Sequence, residues 1–240
     1  MNHGKDLFLH GIKELNLEIT DYQQEQFFKF YEMLIETNKV MNLTTITDLD
    51  EVIVKHFIDS LLIVKSIDLD KYESLIDVGT GAGFPGIPIK IMFPNIKVTL
   101  LDSLNKRLKF LDNVIEQLNL KEIYTIHSRA EDLGHNKEYR EKFDLCVSRA
   151  VANLSTLSEY CIPFVKINGK FISYKSSISL EEINDANRAI KILGGKLVCN
   201  NTFELPCSDM KRTLVVVDKI KQIPKKYPRK AGTPSKEPIK

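Results

Sequence analysis

The chain has 240 residues, 43% hydrophobic and 28% charged, which suits a globular protein of one large domain, or one domain with an appendage. No run approaches the ~20 apolar residues of a membrane span, and Lys5, Asp6, Lys13 and Glu14 break the N-terminal apolar pattern, against a secretory signal. The net charge of +2 is uneven: residues 219–240 carry +7 and the rest −5, which reads as a basic arm suited to a polyanion or as a solubilising tail.

Residues 1–70 read as helical. Asp21 is placed to cap a helix whose apolar positions Phe27, Phe28, Phe30, Tyr31, Leu34 and Ile35 follow helical spacing. After a polar turn at 42–46, Asp48 and Glu51 have capping-box spacing ahead of Val52, Ile53, Phe57, Leu61 and Leu62. From Ser74 strands and helices alternate. Strands are expected at 74–78, 96–101, 123–127, 143–147, 169–175, 196–203 and 212–218, with helices at 86–93, 105–119, 154–165 and 179–193. This alternation predicts an α/β fold: a mostly parallel seven-stranded sheet with helices on both faces and its last two strands as an antiparallel edge pair. The expected division is a helical cap (1–70), the α/β domain (71–220) and a basic proline-rich tail (221–240), extended or irregular with no core of its own.

Cys146, Cys161, Cys199 and Cys207 form no Cys-x-x-Cys pair and have no histidine at ligand spacing. Neither disulfides nor a metal site is expected, and a reducing cytoplasmic setting fits.

The densest signal is the stretch 75–86, Leu-Ile-Asp-Val-Gly-Thr-Gly-Ala-Gly-Phe-Pro-Gly, followed by Asp102 at the end of the next apolar run. A strand, a glycine turn, a helix and a strand ending in an acid make a nucleotide-cofactor half-site. Pro85 and Pro88 remove backbone N–H groups that a pyrophosphate needs, which favours S-adenosylmethionine over a dinucleotide. Gly79, Gly81 and Gly83 permit close backbone approach. Asp77 is placed to meet the cofactor's ammonium group or simply to cap the turn, and Asp102 to accept from ribose hydroxyls or to cap a helix. Ala130 and Glu131 are placed to read the adenine edge or to form a simple polar loop.

Arg149 ends the fourth strand, where cofactor and substrate meet in such folds, and its planar fork suits a phosphate or base edge. Lys175 and Arg212 are placed to extend a basic rim or to be ordinary surface charges, and His56 and Asp59 are spaced to pair with each other. No Asn-Pro-Pro-Tyr turn and no well-placed Pro-Cys pair argues for methylation of an exocyclic amine or of carbon-5.

These residues resemble the bacterial 16S rRNA guanine-N7 methyltransferases, the glucose-inhibited division protein B family. The matching segments are Asn42–Thr44, His56–Leu61, Asp77–Gly86, Arg129–Glu131, Ser148–Ala150 and Lys226–Pro234. Lys55 stands where that family often has arginine. The resemblance implies a class I, Rossmann-like methyltransferase that moves a methyl group from S-adenosylmethionine to N7 of one guanine of the small-subunit RNA. It implies cofactor contacts at Gly79, Phe84, Ala130, Glu131 and Arg149, and substrate positioning or RNA contact by Asn42, Arg129, Arg149, Lys175 and Arg212. A cytoplasmic monomer is expected. The competing readings are a nicotinamide-dependent oxidoreductase and an RNA-binding module with a vestigial pocket.

Overall fold

The computed structural model describes residues 2–149, 152–176 and 178–239. Seven strands form one sheet: β1 (Ser74–Val78), β2 (Lys97–Asp102), β3 (Ile123–His127), β4 (Phe143–Ser148), β5 (Val165–Lys175), β6 (Gly195–Glu204) and β7 (Lys211–Lys219). Their order is β3-β2-β1-β4-β5-β7-β6, with β1 to β5 parallel and β7 antiparallel to both neighbours. The chain order reverses between β1 and β4, so the carboxyl ends of these two strands flank the switch-point crevice where open α/β sheets bind ligands.

The cap begins with α1 (Asn2–Glu14) and α2 (Asp21–Met41). Thr20, not Asp21, caps α2: its hydroxyl accepts from the Gln23 N–H while the Gln23 side chain reaches back to the Thr20 N–H. The next helical run changes character along its length, from α3 (Leu49–Val52) through a π-helical turn (Ile53–Ile58) and α4 (Asp59–Leu61) to a 3-10 turn (Leu62–Lys65). Such π turns concentrate at functional sites, and this one holds His56.

The cap does not stand apart from the sheet. Phe8, Phe27, Phe30 and Phe57 form an aromatic cluster that continues to Phe84 and Phe110, with the Phe30 and Phe84 ring centroids 5.2 Å apart. Leu75, Val98, Leu100 and Leu145 share that core, together with the buried faces of α5 (Gly86–Met92) and α6 (Asn105–Gln117). The alternate residues Ile76, Val78, Leu101 and Cys146 pack on the opposite face, as the period-2 side-chain alternation requires. There they meet α7 (Ala130–Leu133), α8 (Leu154–Cys161) and α9 (Leu180–Ile192).

The expected helix at 154–165 is shorter than the sequence implies. It ends at Cys161, a 3-10 turn over Ile162–Phe164 containing Pro163 follows, and β5 starts at Val165 rather than 169.

The tail is irregular apart from a short α10 (Thr233–Lys236) and has no core of its own, as expected, but it is laid as a strap on the second core, with Ile223, Tyr227 and Pro234 buried. The Arg140 guanidinium donates to the carbonyls of Tyr227 (2.8 Å), Ile223 (3.2 Å) and Pro224 (3.3 Å). Arg229 makes a forked pair with Glu159, at 3.0 Å from Nε and 2.7 Å from Nη2, and its N–H adds a bond of 2.7 Å. Polar partners drawn from the body therefore satisfy the tail's backbone, which its proline content and charge alone do not reveal.

Candidate active site

The glycine turn is held from both sides by carboxylates. Asp77 is fully buried at the end of β1. Its Oδ2 accepts from the Thr80 hydroxyl (2.7 Å) and the Gly86 N–H (2.9 Å). Gly86 is required there, because a Cβ would lie 2.4 Å from Leu100 Cδ2 and 2.9 Å from Asp77 Oδ2. Oδ1 of Asp77 has no partner among the described residues. Burial pushes the Asp77 carboxyl up to about 6, against the lowering pull of its two hydrogen bonds.

On the other side Asp102 Oδ2 accepts from Gly81 N–H (2.9 Å) and Oδ1 from Leu104 N–H (2.8 Å). Gly79 (φ +74°) and Gly81 (φ +61°) take left-handed conformations, and a Cβ on either would meet no atom within 4 Å. The open side of Gly79 faces a cleft.

That cleft, of about 390 Å³, runs along the carboxyl ends of β1 to β4. Val78, Gly79, Asp102, Arg129, Ala130 and Glu131 line it, and Gly232 and Ser235 of the tail form part of the wall. Glu131 is buried and its Oε1 accepts from the Gly232 N–H at 2.8 Å. One of its oxygens is thus spent on fastening the tail over the cleft, a role the sequence reading did not foresee. Arg129 is exposed and makes no ion pair among the described residues, so its charge is free at the rim.

Beside the turn, Phe84 carries a second group of residues. The His56 ring stacks on it with centroids 4.5 Å apart at 20°, and Arg149 Cζ lies 5.1 Å from its centroid. His56 and Asp59 do not bond to each other as expected; both bind Arg149. Its Nη1 donates to Asp59 Oδ2 (3.0 Å) and to the Lys55 carbonyl (3.0 Å), and Nη2 lies 3.2 Å from His56 Nδ1. Burial, reinforced by the Arg149 charge, pushes the His56 imidazole down to about 3. The ring is therefore neutral around pH 7.

Arg212 joins this group because β7 is antiparallel. Its first residues lie at the same sheet end as the last residues of the parallel strands, with Thr213 opposite Lys175. Arg212 Nε donates to Asp59 Oδ1 at 3.1 Å. Lys175, expected on an RNA-facing rim, is instead turned inward: its ammonium donates to the Ala152 carbonyl and to Glu182 Oε1 (2.9 Å), and its side chain is only 11% exposed. Asn42 closes α2 in a left-handed conformation (φ 49°, ψ 57°) and is exposed. It connects to the site through its loop, where Thr44 Oγ1 lies 2.9 Å from His56 Nε2.

The fold also gathers His10, Glu14 and Cys207, with ligand atoms within 4.8 Å of one another, a grouping that sequence spacing conceals. It shares no residue with the cleft.

A glycine turn and an acid at the β2 end leave the dinucleotide alternative open; the comparison of sequences closes it. The profile described as "GidB: rRNA small subunit methyltransferase G" matches residues 23–213. The chain belongs to this family. It is 52% identical to the ribosomal RNA small subunit methyltransferase G of Alkaliphilus oremlandii over 98% of its own length and 99% of the relative's. The counterpart in Exiguobacterium sibiricum is 47% identical, over 97% and 98%. Among solved structures, the YcgJ protein of Bacillus subtilis shares the fold with a TM-score of 0.53 at 13% identity, over 68% of this chain and 98% of that one. M. jannaschii TYW2 in complex with AdoMet gives 0.50 at 16% identity, over 63% and 70%. The 79–86 turn and the Asp102 carboxylate lie at the strand ends, with the Phe84–Arg149 contact beside them.

The site suits S-adenosylmethionine on structural grounds. Gly79 opens onto the cleft, Asp102 on its lining and Asp77 buried behind the turn are each held by a backbone N–H group, and Asp77 retains a buried carboxylate oxygen with no partner among the described residues.

Proposed function

We propose that this protein transfers the methyl group of S-adenosylmethionine to N7 of one guanine in the 16S RNA of the small ribosomal subunit, acting in the cytoplasm as a monomer. The observation that carries this reading is the cleft at the β1–β4 ends, with Phe84 and Arg149 beside its glycine turn, in a chain of the methyltransferase G family.

When bound, S-adenosylmethionine supplies an already activated methyl group on a sulfonium. Guanine N7 has a free lone pair and loses no proton on methylation, so the protein's task is placement and electrostatics rather than proton transfer. Gly79, Gly81 and Ala130 give close backbone approach. Asp102, already aligned by Gly81 and Leu104, accepts from the ribose, and Asp77 supplies a negative field beneath the cofactor's cationic end. Glu131 serves the adenosyl end through the wall it builds with Gly232. Arg149 keeps N–H groups in reserve beyond those given to Lys55, Asp59 and His56, which suits the cofactor carboxylate or guanine O6. It should stay off N7, since the methylated base is cationic. Arg129 at the cleft rim and Arg212 beside Asp59 are the RNA contacts. Asn42 serves through the loop that holds His56. Lys175 acts indirectly, by bracing Ala152 and Glu182.

The test is incubation with methyl-labelled S-adenosylmethionine and 30S subunits or 16S RNA, followed by digestion to nucleosides. Label is expected in 7-methylguanosine. Label on another nucleoside would overturn the N7 assignment; RNA binding without transfer would leave only a binding module.

A further inference from the structure

The segment His56–Leu61 stands out in the sequence, yet neither His56 nor Asp59 lines the cleft. Asp59 is 3% exposed and has no solvent to satisfy it, so its charge must be answered by protein groups. It takes one arginine on each oxygen: Arg149 Nη1 on Oδ2 at 3.0 Å and Arg212 Nε on Oδ1 at 3.1 Å. The arginines come from distant parts of the chain, one at the end of β4 and one at the start of β7. Both side chains are 17% exposed, so each retains an open edge.

His56 fixes the third direction of Arg149. A guanidinium only donates, so in the contact with Arg149 the Nδ1 of His56 accepts and the ring proton faces Thr44 Oγ1 from Nε2, while the Lys55 carbonyl, 3.2 Å from Nδ1, takes its hydrogen bond from Arg149 Nη1. A protonated imidazole would have no lone pair for Arg149. The Arg149 charge itself helps keep the ring neutral, so the arrangement reinforces itself. Stacking on Phe84 then sets the ring plane against the glycine turn.

Resting on the functional reading above, we infer that Asp59 is a positioning residue that sets Arg149 and Arg212 in one pose, with Arg149 directed to the cofactor's reactive end and Arg212 to the RNA, while His56 orients Arg149 alone. Neither Asp59 nor His56 touches a reactant. Their effect passes through the arginines, where displacement of about 1 Å costs up to about 100-fold in rate. The same carboxylate bonds both arginines, so the cofactor and RNA sides of the site are mechanically linked through one buried side chain.

The test uses the full chain with 30S subunits and reads kcat, KM for the subunit, S-adenosylmethionine affinity by calorimetry, thermal midpoint and the Nε resonances of the two arginines. Asp59→Asn should lower kcat/KM about 10- to 100-fold, with both resonances shifted. His56→Asn should change cofactor affinity and kcat while leaving KM for the subunit within about twofold, a split that a staple for the fold would not produce. Asp59→Glu, which keeps the charge, should recover part of the loss. With both arginines already replaced by methionine, adding Asp59→Asn should cost less than about twofold. If the full Asp59→Asn loss persists in that background, or the kinetic loss merely follows the thermal midpoint, the positioning role is overturned. If Asp59→Asn does not fold, the His56→Asn split and the Asp59→Glu recovery decide. A wild-type chain that transfers no label refutes the functional reading; an active wild type with an unaltered Asp59→Asn refutes the positioning alone.

Discussion

Arg229→Ala examines how the tail is held to the body. In the structure Arg229 gives Glu159 three side-chain bonds, from Nε to Oε1 (3.0 Å) and to Oε2 (3.1 Å) and from Nη2 to Oε2 (2.7 Å), and the Glu159 side chain is only 1% exposed. Truncating the arginine leaves a buried carboxylate with the Arg229 N–H but no cation. Breaking a buried pair costs about 3–5 kcal/mol. Because Arg229 keeps 27% of its side-chain surface exposed, the low end applies, ~3 kcal/mol. If body and tail unfold together, a domain of this size loses about 6–12 °C of thermal midpoint. If the tail lifts first, water reaches Glu159, the midpoint moves less, and amides across 223–239 exchange about 100-fold faster. Lifting also removes Gly232 and Ser235 from the cleft wall, so S-adenosylmethionine affinity should fall in that case and hold near wild type in the first. Hydrogen exchange by mass spectrometry, a thermal melt and calorimetry on one preparation read all three. Exchange within about twofold of wild type, with a midpoint shift below about 1 °C, would show that the pair contributes nothing and that the tail is held by other contacts.

Gly86→Ala forces a Cβ against Leu100 and Asp77, so overpacking of about 1–3 kcal/mol should lower the melting midpoint by roughly 2–12 °C. A midpoint equal to wild type would mean that the turn yields freely. With the Asp77 carboxyl raised to about 6, the fraction ionised grows as pH rises through that value. Affinity for the cationic cofactor should therefore increase from pH 5 to 7 and level off above; a flat calorimetric profile would remove Asp77 from the cofactor's field. His56 titrates at about 3 in the folded chain, against an ordinary value near 6.5. Between those values the unfolded chain binds the proton and the folded chain does not, so His56 withdraws stability as pH falls below about 6.5. Proton NMR should show no His56 titration between pH 5.5 and 8, and an Arg149→Met chain should show its value rising.

The strand positions were readable because β-branched and apolar runs recur between helical segments, and the glycine turn because only a few chemistries need three glycines after a strand. Gly79, Gly81 and Asp102 come together as the pattern requires. What escaped were bonds between residues far apart in sequence. Arg229 and Glu159 are 70 residues apart, and Asp59 and Arg212 are 153. A basic, proline-rich segment has the same composition whether it is free or strapped down, and Lys175 looks like any surface lysine until Glu182 and Ala152 are placed beside it. The capping signal at Thr20 and Gln23 was present in the sequence but lay one residue ahead of the position chosen. His56 and Asp59 have pairing geometry on an ordinary helix; the π turn and Arg149 turn both toward a third partner instead.

The strap has a temporal consequence. Residues 223–239 are synthesised after everything they cover, and Gly232 and Ser235 are among the residues that wall the cofactor cleft. Domains fold as they emerge, N-terminal parts first, so the sheet, the glycine turn and the arginine cluster are all made while the cleft still lacks a side. Cofactor affinity is thereby completed by a stretch made after the rest of the cleft lining, which delays full cofactor capture until the body of the enzyme has already taken shape.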